Sequence, residues 1–227
     1  MNRRIAFFDV DETLLAGKSM LSFWHFWAAR AARRGRALPT PRSTGADRET
    51  LNRAYFRAFA GVPLVQLESA ARSWYEEFRR GPRVCLTESV EALLRHRSSG
   101  HEVALVTGAG EMLVRPLAEE LGVRHVLATE VVTDAAGVLT GEVRRPRLGD
   151  AKRTAATALA VRLGARPRDC FAYADHSTDL PLLTAVGHPV VVGDDPVLAA
   201  RAAAEGWPRA GTETGPLPRG AVPAQVG

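Results

Sequence analysis

Short unbroken apolar runs alternate along much of this chain with longer stretches in which apolar residues recur every three or four positions. The runs are RIAFFD (4–9), EVALVT (102–107), RHVLAT (124–129), CFAYAD (170–175) and HPVVVG (188–193). Each has the length of a strand and lacks the strict alternation of a half-exposed one. Each therefore predicts a strand covered on both faces, as in a parallel sheet. Helical periodicity falls between them, at about 87–98, 111–121, 151–163, 178–186 and 196–205. Strands alternating with helices predict an α/β fold built on a doubly wound, Rossmann-like parallel sheet, with ligand at the carboxyl ends of the strands.

The alternation breaks between residues 16 and 84. No strand pattern occurs there, and the periodicity predicts helices at about 18–34, 47–60 and 63–79, the first two joined by the polar link ALPTPRSTGADR. The expected organisation is a core of 1–15 plus 85–207, interrupted by an all-helical cap at 16–84 inserted after the first strand. TEVVTDAAGVLTGEV (129–143) predicts a hairpin turning at Ala136-Gly137. The end of the chain, 208–227, is rich in Pro and Gly and is expected to be a disordered tail.

Composition narrows the classes. The 227 residues are 46% hydrophobic and 24% charged, ordinary for a globular chain able to bury a sizeable core. The net charge of +5 comes from arginines spread over the whole length, without an aromatic-interleaved basic ribbon or zinc spacing, so no nucleic-acid partner is expected. Cys85 and Cys170 form no CxxC and are expected to be inert. No run reaches the length of a membrane span, and Asp9 and Asp11 interrupt the first apolar run too early for a signal peptide. A cytoplasmic protein without a membrane partner is the expectation; nothing in the sequence indicates an oligomeric state.

The chemistry begins where the first strand ends. FFDVDETLL (7–15) places Asp9 and Asp11 two positions apart, and like charges so close need a counter-cation, a shared proton or open water. Three other segments supply partners. LVTGAG (105–110) ends a strand in Thr107 and Gly108, with small residues whose N–H groups can hold an anion. GDAKRTAATALA carries Lys152, one of only two lysines, at the start of a helix. YADHSTDLPLL (173–183) puts Asp175 at a strand end and Asp179 four residues on. Hard carboxylate oxygens suit Mg²⁺, which retains waters and coordinates a substrate phosphate as well.

These four segments, in this order, resemble the four motifs of the haloacid dehalogenase superfamily. The helical insertion resembles the C1 cap of its phosphoserine-phosphatase-like branch. The resemblance covers about residues 4–205 and implies specific roles. Asp9 would be the nucleophile that forms an aspartyl-phosphate, and Asp11 the general acid and base. Thr107 and the Gly108 N–H would hold phosphoryl oxygens, and Lys152 would neutralise charge. Asp9, Asp175 and the Asp11 carbonyl would bind Mg²⁺, while Asp179 would support the metal or Lys152. Two departures stand out. His176 occupies a position where the branch carries Gly or Ser. Lys18 stands where phosphoserine phosphatases carry a glutamate that grips the substrate's ammonium, so a cation there disfavours an amine and favours an anionic or hydroxyl-rich substrate.

The expected activity is Mg²⁺-dependent hydrolysis of a small phosphomonoester. A phosphotransferase acting on a second alcohol would carry the same residues, and a non-catalytic phosphate-binding module could share the scaffold. Met20, Phe23, Trp24 and Trp27 form one helical face, expected to be cap core, with Phe23 or Trp24 a lesser candidate for the roof of the site. Arg30, Arg33, Arg34 and Arg36 cluster near the end of that helix, where positive charge suits the macrodipole, and Arg53 and Arg57 are weak candidates for meeting substrate anions.

Overall fold

A computed structural model describes residues 3–33 and 47–218. The central sheet has the order β5-β4-β3-β1-β6-β7-β8. Its strands are β1 (Ile5–Phe8), β3 (Glu102–Gly110), β4 (His125–Thr133), β5 (Leu139–Arg145), β6 (Phe171–Ala174), β7 (His188–Val192) and β8 (Arg209–Ala210). All pairings are parallel except β4 with β5, which form the expected hairpin. Asp134 accepts from the N–H groups of Ala136 and Val138 in its turn, and Gly137 takes the left-handed φ of +75° that favours glycine there.

The unbroken apolar character of β1 follows from its position between β3 and β6. Ala6 and Phe8 face a core shared with the buried residues of α4 (Thr87–Ser98) and α5 (Glu111–Glu120). Ile5 and Phe7 face a second core, with α6 (Asp150–Leu163), α7 (Leu180–Leu183) and α8 (Pro196–Glu205). A strand buried on both faces has no polar side to display. The chain leaves β1 toward β3 on one side and reaches β6 on the other, so the carboxyl end of β1 is the switch point of the sheet.

Helices α1 (Ser19–Ala32), α2 (Arg48–Arg57) and α3 (Leu64–Phe78) form the insertion after β1. Phe23, Trp24, Phe59 and Trp74 fill its interior. The α2–α3 corner is stitched to the hairpin by backbone hydrogen bonds: Gly61 N–H to Leu139 O (2.8 Å), Leu139 N–H to Val62 O (2.9 Å) and Leu64 N–H to Gly137 O (2.9 Å). Contact there is close, because a Cβ on Gly141 would lie 2.9 Å from Ala60 Cβ. On the other side, Arg72 reaches Glu119 of α5 (2.8 Å), and Tyr75 and Arg79 both engage Glu120.

Three expectations need correction. The stretch expected to be helical at 178–186 is a 3₁₀ turn, Ser177–Asp179, followed by the single turn of α7. Asp179 thereby sits at the junction, pointed by the turn rather than along a helix. The tail expected to be disordered from 208 instead contributes β8 to the main sheet. It also contributes β9 (Thr214–Gly215), which pairs antiparallel with the short β2 (Cys85–Leu86). Leu217 buries its side chain in the core, so the Pro- and Gly-rich composition concealed a docked segment. Residues 219–227 lie outside the described residues, as do Arg34 and Arg36. The core also extends past 207, because β8 completes the sheet edge.

Candidate active site

Asp9 follows directly on β1. Its N–H still donates to Tyr173 O of β6 (3.0 Å), which holds the residue at the middle of the sheet rim. Its side chain is buried, and Oδ1 accepts from Val10 N–H (2.8 Å). Lys152, in the first turn of α6, brings its Nζ to 2.9 Å from Asp9 Oδ1 and 2.7 Å from Asp179 Oδ2. This buried ammonium is a counter-cation for Asp9 and Asp179.

The loop after Asp9 turns sharply, with Leu14 N–H and Leu15 N–H both donating to Val10 O (2.9 Å). Glu12 takes a φ of +61°, the left-handed region that costs a non-glycine residue about 1 kcal/mol or more. The turn sends Thr13 inward, where its hydroxyl donates to Asp175 Oδ1 (2.8 Å). Asp11 Oδ1 accepts from Ser19 N–H (2.9 Å) at the start of α1, so the second carboxylate also caps the insertion's first helix.

The carboxylates titrate abnormally. Burial raises Asp9 and Asp175 above the ordinary range, partly countered by Lys152 for the first and by the Thr13 hydrogen bond for the second. Burial also raises Asp11 despite its Ser19 hydrogen bonds, and lifts Asp179 to about 6. Burial pulls Lys152 down, but Asp9 and Asp179 more than reverse this, leaving it above its usual value and charged.

On the neighbouring strand, the register of β3 shifts between Val106 and Gly110, lifting Thr107, Gly108 and Ala109 out of the regular ladder. Thr107 is buried, and its Oγ1 accepts from Ala109 N–H (3.1 Å). The Gly108 carbonyl accepts from Thr129 Oγ1 and from Asn52 Nδ2 of α2, each at 2.7 Å. A side chain at 108 would meet Leu148, 2.7 Å from an added Cβ.

Asp9, Asp11, Lys18, Thr107, Gly108 and Lys152 line one cavity of about 290 Å³. Oxygens of Asp9, Asp175 and Asp179 lie within 4.8 Å of one another beside it. Asp179 Oδ1 is buried with no hydrogen-bond partner, a vacancy in its bonding that a hard divalent cation would fill. The residues therefore fit Mg²⁺; Asp11 contributes no side-chain oxygen to that cluster. Lys18 lines the mouth, largely solvated, 3.5 Å from Glu12 Oε2. His176 lies outside the lining; its Nδ1 accepts from Thr178 N–H (3.1 Å) and caps the turn that carries Asp179.

Trp24 and Met20 reach the cavity while Phe23 stays in the interior of the insertion. Arg53 is turned away, bonded to Glu49 and to Val143 O. Arg30 stacks on Phe26, 4.3 Å from its centroid. Cys85 and Cys170 are buried and unbridged. Sequence reasoning missed Thr13, Asn52, Tyr55, Arg48 and Leu148. Thr13 stood inside a quoted motif, whereas the others lie on a helix or loop whose docking no local pattern reveals. No helix among the described residues is long and apolar enough to cross a membrane.

Comparison with known proteins identifies the family. The family profile for haloacid dehalogenase-like hydrolases matches residues 6–184. A probable phosphatase of Mycobacterium tuberculosis is 33% identical over 216 residues, spanning 91% of this chain and 74% of the relative. A solved protein of unknown function from Bordetella pertussis is 26% identical, with a TM-score of 0.78 over 92% of this chain and 99% of that one. The phospho-aspartyl intermediate analogue of a phosphoserine phosphatase shares the fold, with a TM-score of 0.65 at 18% identity over 95% and 96% of the two chains. The chain belongs to the haloacid dehalogenase-like hydrolases.

Proposed function

We propose that this chain is a Mg²⁺-dependent phosphatase that hydrolyses a small phosphomonoester through an aspartyl-phosphate. The observation that carries the reading is Lys152, buried between Asp9 and Asp179 beside an acidic cluster with an unsatisfied oxygen. Val10 N–H and Lys152 both engage Asp9 Oδ1, which leaves Oδ2 as the attacking oxygen. It would bond to phosphorus as the bond from phosphorus to the alcohol oxygen breaks. Asp11, whose burial favours the protonated form, gives its proton to that oxygen and the alcohol leaves. Asp11 then takes a proton from water, whose oxygen attacks phosphorus; inorganic phosphate departs and Asp9 is regenerated.

Lys152, the Thr107 hydroxyl and the Gly108 N–H hold the phosphoryl oxygens, where positioned donors count most. Asp9, Asp175 and Asp179 would hold the metal, with Thr13 orienting Asp175. Bound there, Mg²⁺ would draw negative charge from the phosphoryl oxygens and lessen their repulsion from Asp9. The helical insertion roofs the cavity and limits bulk water.

The test is phosphate release from a phosphomonoester panel with and without Mg²⁺. Asp9→Asn should abolish release, and Asp11→Asn should slow it about 10²- to 10⁴-fold. Undiminished release from Asp9→Asn would refute the covalent route.

A further inference from the structure

The floor of the cavity is charged, but its walls are not. Above Asp9 and Asp11 the lining is Met20, Leu21, Trp24, Leu51, Tyr55 and Leu148, with Asn52 between them and Lys18 and Arg48 at the rim. Asp9 and Asp11 are the only carboxylates among the described residues that line it, and both are occupied by the proposed chemistry. Asn52 Oδ1, Tyr55 Oη and Trp24 Nε1 are each buried without a hydrogen-bond partner, on side chains more than nine-tenths buried. Such orphaned groups are rare in a folded interior and require an explanation. Burial first, and then the Asp11 carboxylate, raise the Tyr55 phenol, so its hydroxyl stays protonated.

From this lining we infer that the substrate's alcohol is uncharged, largely apolar and small, and that the wall formed by Leu21, Trp24, Leu51 and Tyr55 selects it. This rests on the phosphatase reading for the phosphoryl end and deepens it at the other end. Size follows from the volume: at 290 Å³ the cavity falls at the small end of ligand pockets, which run about 300–1,000 Å³, so the alcohol is small.

Polarity follows from the lining. The wall carries no counter-charge for an ammonium, which would be stranded against apolar side chains; Trp24, Tyr55 and Asn52 add only neutral polar groups. The two rim cations do not reverse this. Arg48 is exposed and donates to Thr178 (3.1 Å), and Lys18 is shared with Glu12. Solvated cations contribute little to holding an anion. Lys18 therefore does not make the pocket a carboxylate site.

Binding of non-hydrolysable phosphonates, in which CH₂ replaces the bridging oxygen, tests this independently of turnover. Calorimetry with the wild-type chain and Mg²⁺ would compare 2-phenylethylphosphonate with 3,4-dihydroxybutylphosphonate, 2-amino-4-phosphonobutyrate and 3-phosphonopropionate. These present a ring, a diol, an amino acid and a carboxylate in turn. The ring compound should bind at least about tenfold more tightly than each of the others, the scale on which apolar pockets discriminate. Leu21→Asn/Leu51→Asn, altering one exposed and one half-buried wall residue, should erase that preference while leaving Tm unchanged.

Equal or tighter binding of the amino or carboxylate compound overturns the inference, as does a ring preference that survives the double variant. Parallel turnover of benzyl phosphate separates the two readings. Ring-selective binding without hydrolysis sinks the phosphatase reading alone. Hydrolysis that prefers phosphoserine or phosphoglycolate sinks the leaving-group inference alone. No phosphonate binding at all overturns both.

Discussion

Replacing Lys152 with methionine isolates what the buried ammonium does for the fold, apart from any catalysis. The side chain is 3% exposed, and its Nζ stands 2.9 Å and 2.7 Å from carboxylates that are themselves 9% and 1% exposed. Methionine keeps most of the packing volume and removes the charge, leaving Asp9 and Asp179 buried against each other. Breaking a buried pair in this way costs about 3–5 kcal/mol. At about 2–4 °C per kcal/mol for a chain of this size, Tm should fall by roughly 6–20 °C at pH 7.5 without metal.

The pH dependence has a definite sign. Burial already raises both aspartates above the usual 3.8, and losing the lysine raises them further. A raised carboxylate favours folding below its unfolded pKa, and that contribution is lost as pH rises through the folded value. The deficit of Lys152→Met should therefore shrink between pH 7.5 and 5, as the folded state takes up protons that the unfolded chain releases. Added Mg²⁺ should narrow it as well, since a dication bound only by the folded site stabilises that state. Thermal denaturation followed by circular dichroism reads all three. A loss below about 2 °C at pH 7.5, or a deficit that widens on acidification, would refute the account.

Two further outcomes are expected. His96 is buried between His101 (2.8 Å, Nδ1 to Nδ1), Tyr173 Oη (3.0 Å) and the rings of Phe8 and Phe171, and burial first, then His101, lowers it from 6.5 to about 4. Stability should therefore fall as pH drops from about 6.5 to about 4, with about 1.4 kcal/mol per pH unit of that slope missing in His96→Gln; identical slopes in urea titrations of the two proteins would contradict this. Leu217→Ala empties a core position beside the β2–β9 pairing and should cost about 2–4 kcal/mol, read as a lower urea midpoint at unchanged m-value; an unchanged midpoint would mean that the C-terminal segment does not anchor the core.

The sheet was legible because burial on both faces leaves a mark on the sequence. Ile5, Ala6, Phe7 and Phe8 serve two cores in alternation, so every position must be apolar, and the run ends where the chain meets solvent and charge. The C-terminal strands were not legible. Arg209–Ala210 and Thr214–Gly215 are two residues each, too short to show a period, and they form because the sheet edge and Cys85–Leu86 offer partners. His176 looked like a departure at the site and proved to be a cap on the turn carrying Asp179, a role visible only once that turn had replaced the expected helix.

The sequence by itself determined the kind of chemistry: four short segments, each ending a strand or opening a helix, carry Asp9, Asp11, Thr107, Lys152, Asp175 and Asp179. Their types survive reading one at a time because strand ends and helix starts are local events, governed by neighbours in the chain. The tertiary structure decided the pairing and the pocket. Thr13 on Asp175, Asn52 on the Gly108 carbonyl and the apolar wall of Trp24, Leu51 and Tyr55 join residues separated by 162 positions in the first case and 56 in the second. Such contacts depend on how the helical insertion docks onto the hairpin and α5, and docking is settled by the packing of whole surfaces.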